Sequence, residues 1–241
     1  MRGVAVRLHG PLQAWGGPAI GDDRPTLSFP TKSGVLGLVA ACMGIRRGET
    51  DRLLALAKGT CVHVRVDAPG TPLVDDQTIQ GVPEASPTRQ TIQSKRTYLC
   101  DASFVAVVVP GAGGNADEIG RALSRPVFTP FLGRRSCVPS SPLLLAAEVT
   151  GRDPLDLFRT LARGPAELLE GLRQSCHFDE RTDFFLDLPE HQNIPCRLRV
   201  RDDLAGPLPR QFRERAVTHV RDSGKVNSPA TADPWTTTTL A

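Results

Sequence analysis

Aromatic side chains are scarce in this chain, with one Tyr, two Trp and nine Phe among 241 residues. That scarcity excludes single-strand recognition on a dense aromatic platform, so any nucleic-acid binding must lean on phosphates, backbone amides and arginine stacking. Net charge is scarce too: 29 Lys and Arg against 26 Asp and Glu leave +3, too little to advertise a partner. No apolar run approaches the roughly 18 to 20 residues of a membrane helix, and the start, Met1 to Arg7, lacks the apolar stretch of a signal peptide, so no membrane association is expected. The six cysteines show no C-x-x-C and no framework spacing, which points to a reduced, cytoplasmic setting. Cys42, Cys61 and Cys100 sit in apolar runs and read as small core residues. Cys176, His177, His191 and Cys196 can be drawn as a zinc set, but the paired spacing that makes such a signal specific is missing. Neither metal nor cofactor is expected.

What the chain does have is a folded protein's balance, with 40% hydrophobic and 23% charged residues. Its 22 Gly and 21 Pro interrupt elements often. The small total charge conceals regional surpluses: residues 1–47, 86–135 and 197–221 each carry +4, against −3 over 48–85 and −5 over 148–190. Three basic segments could assemble one positive face, the electrostatic footprint of a nucleic-acid binder. Ordinary solvated surface is the equal alternative on composition alone. The acidic 148–190 stretch is expected to face away from a polyanion.

Periodicity predicts strands over Val4–His9, Cys61–Val66, Leu99–Val109 and Leu143–Val149, with short ones over Phe184–Leu188 and Cys196–Val200. Helices are predicted over Ser33–Gly44, with Thr31 or Ser33 as cap, over Glu49–Lys58 with Gly59 as its stop, and over Asn115–Ser124. Pro154–Ala162 and Pro165–Leu172 read as helices with Pro at the first position. Residues 16–30 must be a loop, and residues 67–97 form a polar segment too long for an ordinary connection, so a functional projection or a disordered loop is expected. The order strand, helix, strand, projection, strand, helix, strand is that of an α+β, ferredoxin-like (RRM-like) β-α-β-β-α-β unit. Such a sheet has one face covered by helices and the other free for a ligand.

Chemistry concentrates in three places. Leu8-His9-Gly10-Pro11-Leu12-Gln13-Ala14-Trp15-Gly16 puts a Gln and a Trp after the first strand. Phe29-Pro30-Thr31-Lys32-Ser33-Gly34 opens a helix whose free N–H groups, hydroxyls and lysine make an anion site or simply a cap. Pro130-Phe131-Leu132-Gly133-Arg134-Arg135-Ser136-Cys137 places two arginines after a glycine, where guanidinium and backbone could both approach a phosphate. The G-x-x-x-x-G-K-[ST] order of a nucleotide-hydrolysing loop is absent.

These segments, with Arg24-Pro25-Thr26, Thr91 to Phe104 and Leu208-Pro209-Arg210-Gln211-Phe212, resemble the CasD-type subunits of Cascade, the type I-E CRISPR surveillance complex, within the RAMP superfamily. The resemblance spans residues 1 to about 215. It implies a non-catalytic subunit in antiviral defence, a ferredoxin-like domain that caps the 5′ handle of the guide RNA. It also implies an inserted thumb hairpin, matched by about 75–98, that packs against the neighbouring backbone subunit. Implied partners are the guide (CRISPR) RNA, the backbone and large subunits of Cascade, and target DNA only through the complex. The RNA-binding residues it implies are Gln13, Trp15 and Arg24 in the first loop, Lys32 and Ser33 at the helix entrance, Gln93, Lys95, Arg96 and Tyr98 in the thumb, and Arg134 and Arg135. Trp15 could instead plug the core and Tyr98 anchor the thumb base. The expected division is a ferredoxin-like RNA-binding domain over 1–150, a smaller β-containing C-terminal part over 151–225 that completes the fold and, from its Thr- and Pro-rich composition, a flexible tail over 226–241.

Two other readings compete. A metal-independent endoribonuclease processing repeat RNA needs a base for the 2′-OH and an acid or cation for the leaving group. Tyr98, Lys95 and one of His9, His63 or His177 are the candidates, none in a recognisable nuclease arrangement. A purely structural bridge would use the thumb to hold the neighbouring subunit and leave the RNA to others.

Overall fold

In a computed structural model of the chain, residues 1–17, 19, 21–80, 91–161, 182–188, 197–207 and 210–222 are described. They form a mixed α and β fold built mainly from antiparallel strands. Strand β1 (Arg2–His9) is buried on both sides, because its alternating residues pack into two different cores. It shares a sheet with β3 (Cys61–Ala68), β6 (Ser103–Val109), β7 (Leu144–Thr150) and β8 (Thr182–Leu186). Val4 pairs with Val108 and Leu8 with Phe104 across β1 and β6, and Val62 meets Val108 from β3. With the hairpin of β9 (Arg197–Pro207) and β10 (Arg210–Asp222), the sheet runs β7-β1-β6-β3-β8-β10-β9.

The helices α1 (Lys32–Cys42), α2 (Thr50–Ala57) and α3 (Ala116–Ser124) follow the predicted positions closely, because their end signals are chemical. The Thr31 hydroxyl accepts from the Gly34 amide, and the Asn115 side chain accepts from the amides of Asp117 and Glu118. Val35 and Val39 of α1 and Ile119 and Leu123 of α3 close one core over Val4, Val6, Leu8, Phe104 and Val108. Each such side chain contributes about 1.5–3 kcal/mol by leaving water.

The opposite face of the sheet is not free where it is described. Ala5, Val105, Val107, Phe184 and Leu186 lie buried beneath Leu157 and Phe158. Arg65, itself buried, donates to the carbonyls of Phe158 and Leu161 and pairs with Asp67 at 2.6 Å. The expectation of an open sheet face is therefore corrected: the chain continues beyond β7 and covers it. Where a helix is expected over Pro154–Ala162, the described residues form a 3-10 turn over Asp156–Phe158, entered through the Asp153 carboxylate on the Asp156 amide and the Asp156 carboxylate on the Arg152 amide. The helix expected over 165–172, the drawn zinc ligands Cys176, His177, His191 and Cys196, and the tail from 226 lie outside the described residues.

The polar segment is a hairpin, β4 (Thr71–Gln80) with β5 (Thr91–Cys100). With β2 (Leu12–Gln13) it makes a separate sheet in the order β2-β5-β4. The single strand expected over 99–109 is split, since Asp101 adopts φ 54° and turns the chain between β5 and β6. Gly70 makes the matching turn on the way out, at φ 71°, where a Cβ would collide with the Cys100 carbonyl. The short strand expected over 196–200 is instead one arm of the long β9–β10 hairpin.

Candidate nucleic-acid interface

The hairpin root is tied to the first loop by a buried polar knot. Gln13, with 0% of its surface exposed, donates to the carbonyls of Leu8 (3.2 Å) and Ala102 (2.7 Å) and accepts from Trp15 Nε1 at 3.0 Å. The end of β1, the turn after β5 and the indole are thereby fixed with every polar group of the amide used. The Trp15 amide donates to Thr26 Oγ1 (2.8 Å), and its ring lies against Gly34, where a Cβ would press on it. Beside it runs the segment 131–137. The Ala14 amide donates to the Leu132 carbonyl, and Gly133 (φ 90°) passes so close to the Ala14 carbonyl that no side chain fits.

Arg24 and Arg134 meet farther along the edge of β5 that β2 pairs. The Arg24 amide donates to the Lys95 carbonyl and its own carbonyl accepts from the Thr97 amide, a short parallel bridge to Arg96. The Arg134 guanidinium donates to the carbonyls of Thr97 (2.9 Å) and Arg24 (2.6 Å) and lies 4.5 Å over the Tyr98 ring. Tyr98 is buried beneath it. The Arg24 guanidinium stays at the surface, resting on the carbonyls of Gly21 and Asp23.

The helix entrance is built differently. The Lys32 amide, expected to be open to a phosphate, donates to Asp202 Oδ2 at 2.6 Å, so a carboxylate of this chain already occupies the N-terminus of α1. Lys32 Nζ lies 3.1 Å from Asp203 and 3.4 Å from Asp187. Arg215 pairs with Asp202 at 2.6 Å and reaches Asp187 at 3.4 Å. Burial works against the Arg215 charge, yet the hydrogen bond to Asp202 and the fields of Asp187, Asp202 and Asp203 hold its pKa above the ordinary value. His63, fully buried nearby, accepts from the Asp187 amide, and burial pushes its pKa down to about 4.

The residues singled out in the sequence thus separate. Gln13, Trp15, Lys32 and Tyr98 present almost no side-chain surface and act as internal supports. Arg24, Gln93, Lys95 and Arg135 are exposed, and Ser33, Arg96 and Arg134 partly so. Among the described residues no ion pair engages Lys95, Arg96 or Arg135, although Asp76 and Asp75 stand opposite Lys95 and Arg96 in the hairpin register. Sequence reading missed Thr26, Asp187, Asp202 and Arg215. Thr26 lay within the quoted Arg24-Pro25-Thr26 signal, whereas Asp202 and Arg215 were hidden inside a run of arginines.

Among the described residues, the candidate nuclease groups Tyr98, His63 and His9 are not brought into one arrangement. Tyr98 is covered by Arg134, His63 is buried and held neutral, and His9 Nδ1 faces the Ala102 carbonyl at 3.3 Å. His177 lies outside the described residues. Among the described residues no three His, Cys, Asp or Glu side chains gather as a metal site, and no helix is long and apolar enough to cross a membrane.

Residues 3–195 match the family model for "CRISPR-associated protein (Cas_Cas5)". The chain is 42% identical over 155 residues to the CRISPR system Cascade subunit CasD of Escherichia coli (strain K12), covering 59% of this chain and 69% of that protein. A solved chain of a CRISPR RNA-guided surveillance complex superposes with a TM-score of 0.67 at 30% identity, over 91% of this chain and 89% of that one. A second solved chain, a Cas protein, superposes with a TM-score of 0.54 at 30% identity, over 89% and 94% of the two chains. A family match over most of the chain, a CasD relative and a like-shaped subunit of a surveillance complex agree: the chain belongs to the Cas5 family of CRISPR-associated proteins.

Proposed function

We propose that this protein is a non-catalytic subunit of a Cascade-type, RNA-guided surveillance complex and that it caps the 5′ handle of the guide RNA. The observation that carries this reading is the gathering of exposed Arg24, Lys95 and Arg135 with partly exposed Arg96 around the root of a projecting hairpin, on a base of buried, fully paired side chains. Preorganised cations on a rigid support are what phosphate recognition requires, because little ordering entropy remains to be lost on binding. The strand order β7-β1-β6-β3, with helices following β1 and β6, supports a ferredoxin-like core, and the β4–β5 hairpin fits the inserted thumb. The hairpin then reaches the adjacent backbone subunit, the large subunit docks on the assembled complex, and target DNA is met only through that complex. Free Cys42, Cys61, Cys100 and Cys137 suit a reducing cytoplasm.

The test is photocrosslinking of guide RNA in the reconstituted complex. Handle nucleotides should crosslink to peptides containing Arg24, Lys95 and Arg135. Crosslinks confined to the hairpin at its boundary with the neighbouring subunit would favour the structural-bridge reading instead. Specific cutting of repeat RNA by the isolated protein, lost in Tyr98→Phe, would establish the nuclease.

A further inference from the structure

Arg134 stands among the exposed cations in sequence but not in role. Building on the RNA-binding reading above, we infer that Arg134 is a positioning residue, the clamp that fixes the hairpin root to the first loop, while Arg24, Lys95 and Arg135 meet the phosphates. Its two bonded nitrogens point at backbone carbonyls of two separate segments, Arg24 and Thr97, and its plane rests on Tyr98. The Arg24 carbonyl accepts from both the Thr97 amide and Arg134, so the bridge that seats Arg24 against Lys95 is closed from outside by this guanidinium. The clamp's own backbone is locked in turn, since the Arg134 carbonyl accepts from the Cys137 amide and Gly133 is wedged under Ala14.

Without the clamp, the 98–102 end of the root keeps the two residue pairs of β2 with β5, the Asp101 amide on the Pro11 carbonyl, the Gln13 knot at Ala102 and the burial of Tyr98 and Leu99, whereas 93–97 is tied to the first loop by the single bridge at Arg24 and by Ser94 Oγ on the Asp22 carbonyl. The chain enters and leaves through left-handed residues at Gly70 and Asp101, with no continuous strand passing into the main sheet. The stretch 93–97 would therefore loosen against the first loop, and Arg24 and Lys95 would lose their fixed spacing before any RNA arrives. A guanidinium makes this clamp because it is planar, forked and able to stack; an ammonium on a flexible stem offers a phosphate a point charge but cannot reproduce the fork and the ring contact.

The experiment uses the full-length protein with Arg134→Ala, Arg134→Lys and Arg135→Ala. It measures amide exchange over 93–98 in the free protein and affinity for a single-stranded RNA carrying the repeat-derived 5′ segment across a salt series. Both Arg134 variants should speed exchange at the root and weaken RNA binding, each about tenfold. Arg134→Lys should keep the wild-type salt slope, whereas Arg135→Ala should lower it by about 0.7 without changing exchange. Affinity restored by Arg134→Lys, or root exchange unchanged in both variants, would overturn the clamp. Should the wild type bind no RNA, the RNA reading fails, and root exchange alone still decides the clamp. Should Arg134→Ala fail to fold, exchange and salt slope in Arg134→Lys decide the same question.

Discussion

The hairpin root and the entrance of α1 are both basic in sequence, and the chain treats their cations in opposite ways. At the root, Lys95 and Arg135 stay exposed and unpaired among the described residues, while Arg134 spends its hydrogen bonds on neutral carbonyls. At the entrance, buried Lys32 and largely covered Arg215 pack against Asp187, Asp202 and Asp203, and the helix N-terminus holds a carboxylate from β9. The difference teaches that a cation beside a glycine or a helix start is a ligand site only if no acid from elsewhere in the chain arrives first. Carbonyls orient a guanidinium without neutralising it, so Arg134 keeps its charge. Carboxylates cancel it, which makes the entrance a structural joint between the N-terminal core and the β9–β10 hairpin.

The joint should break hard and leave the exposed cations of the root in place. Arg215→Ala uncovers Asp202 and Asp187 in a buried site and should cost about 3–5 kcal/mol of stability in chemical denaturation. A loss below about 1 kcal/mol would mean that water already reaches the joint. Next comes pH. His63 titrates at about 4 in the fold against an ordinary value of 6.5, so the unfolded chain binds the extra proton in that window. Stability contributed by neutral His63 is complete above pH 6.5 and is lost as pH falls toward 4, by about 3 kcal/mol. Melts of His63→Gln across this range should show a flatter slope; an identical slope would place the titration elsewhere. At the root, Gln13→Ala strands the Leu8 and Ala102 carbonyls and the Trp15 N–H, and should cost about 2 kcal/mol. An effect under about 0.5 kcal/mol would show that water replaces the amide.

Much of the architecture was legible in the sequence, and the parts that were not share a cause. Helices α1 and α3 announce themselves because Thr31 and Asn115 are local chemical signals read by amides two or three residues away, and α2 stops where Gly59 turns left-handed at φ 67°. Central strands announce themselves through runs such as Phe104 to Val108, which nothing but a buried sheet explains. The β9–β10 hairpin stayed hidden because buried Asp202 and largely covered Arg215 occupy inward positions of its strands, so the polar pattern follows an ion pair and not the pleat. The same long-range pairing concealed the fate of Lys32, whose partners Asp187 and Asp203 lie far along the chain. Residues 8–16, 24–26 and 130–137 do come together, as their joint appearance suggested. Which of their side chains face outward depended on bonds to carbonyls, and carbonyls leave no mark in a sequence.

The smallest change in stability should accompany the most direct test. Lys95→Ala with Arg135→Ala removes two exposed cations and should alter folding by no more than about 0.5 kcal/mol. If the root binds RNA phosphates, the double variant should lower the salt slope for the repeat-derived 5′ RNA by about 1.4, or about 0.7 per lost contact. A slope indistinguishable from wild type in that titration would contradict the assignment of the hairpin root as the RNA interface.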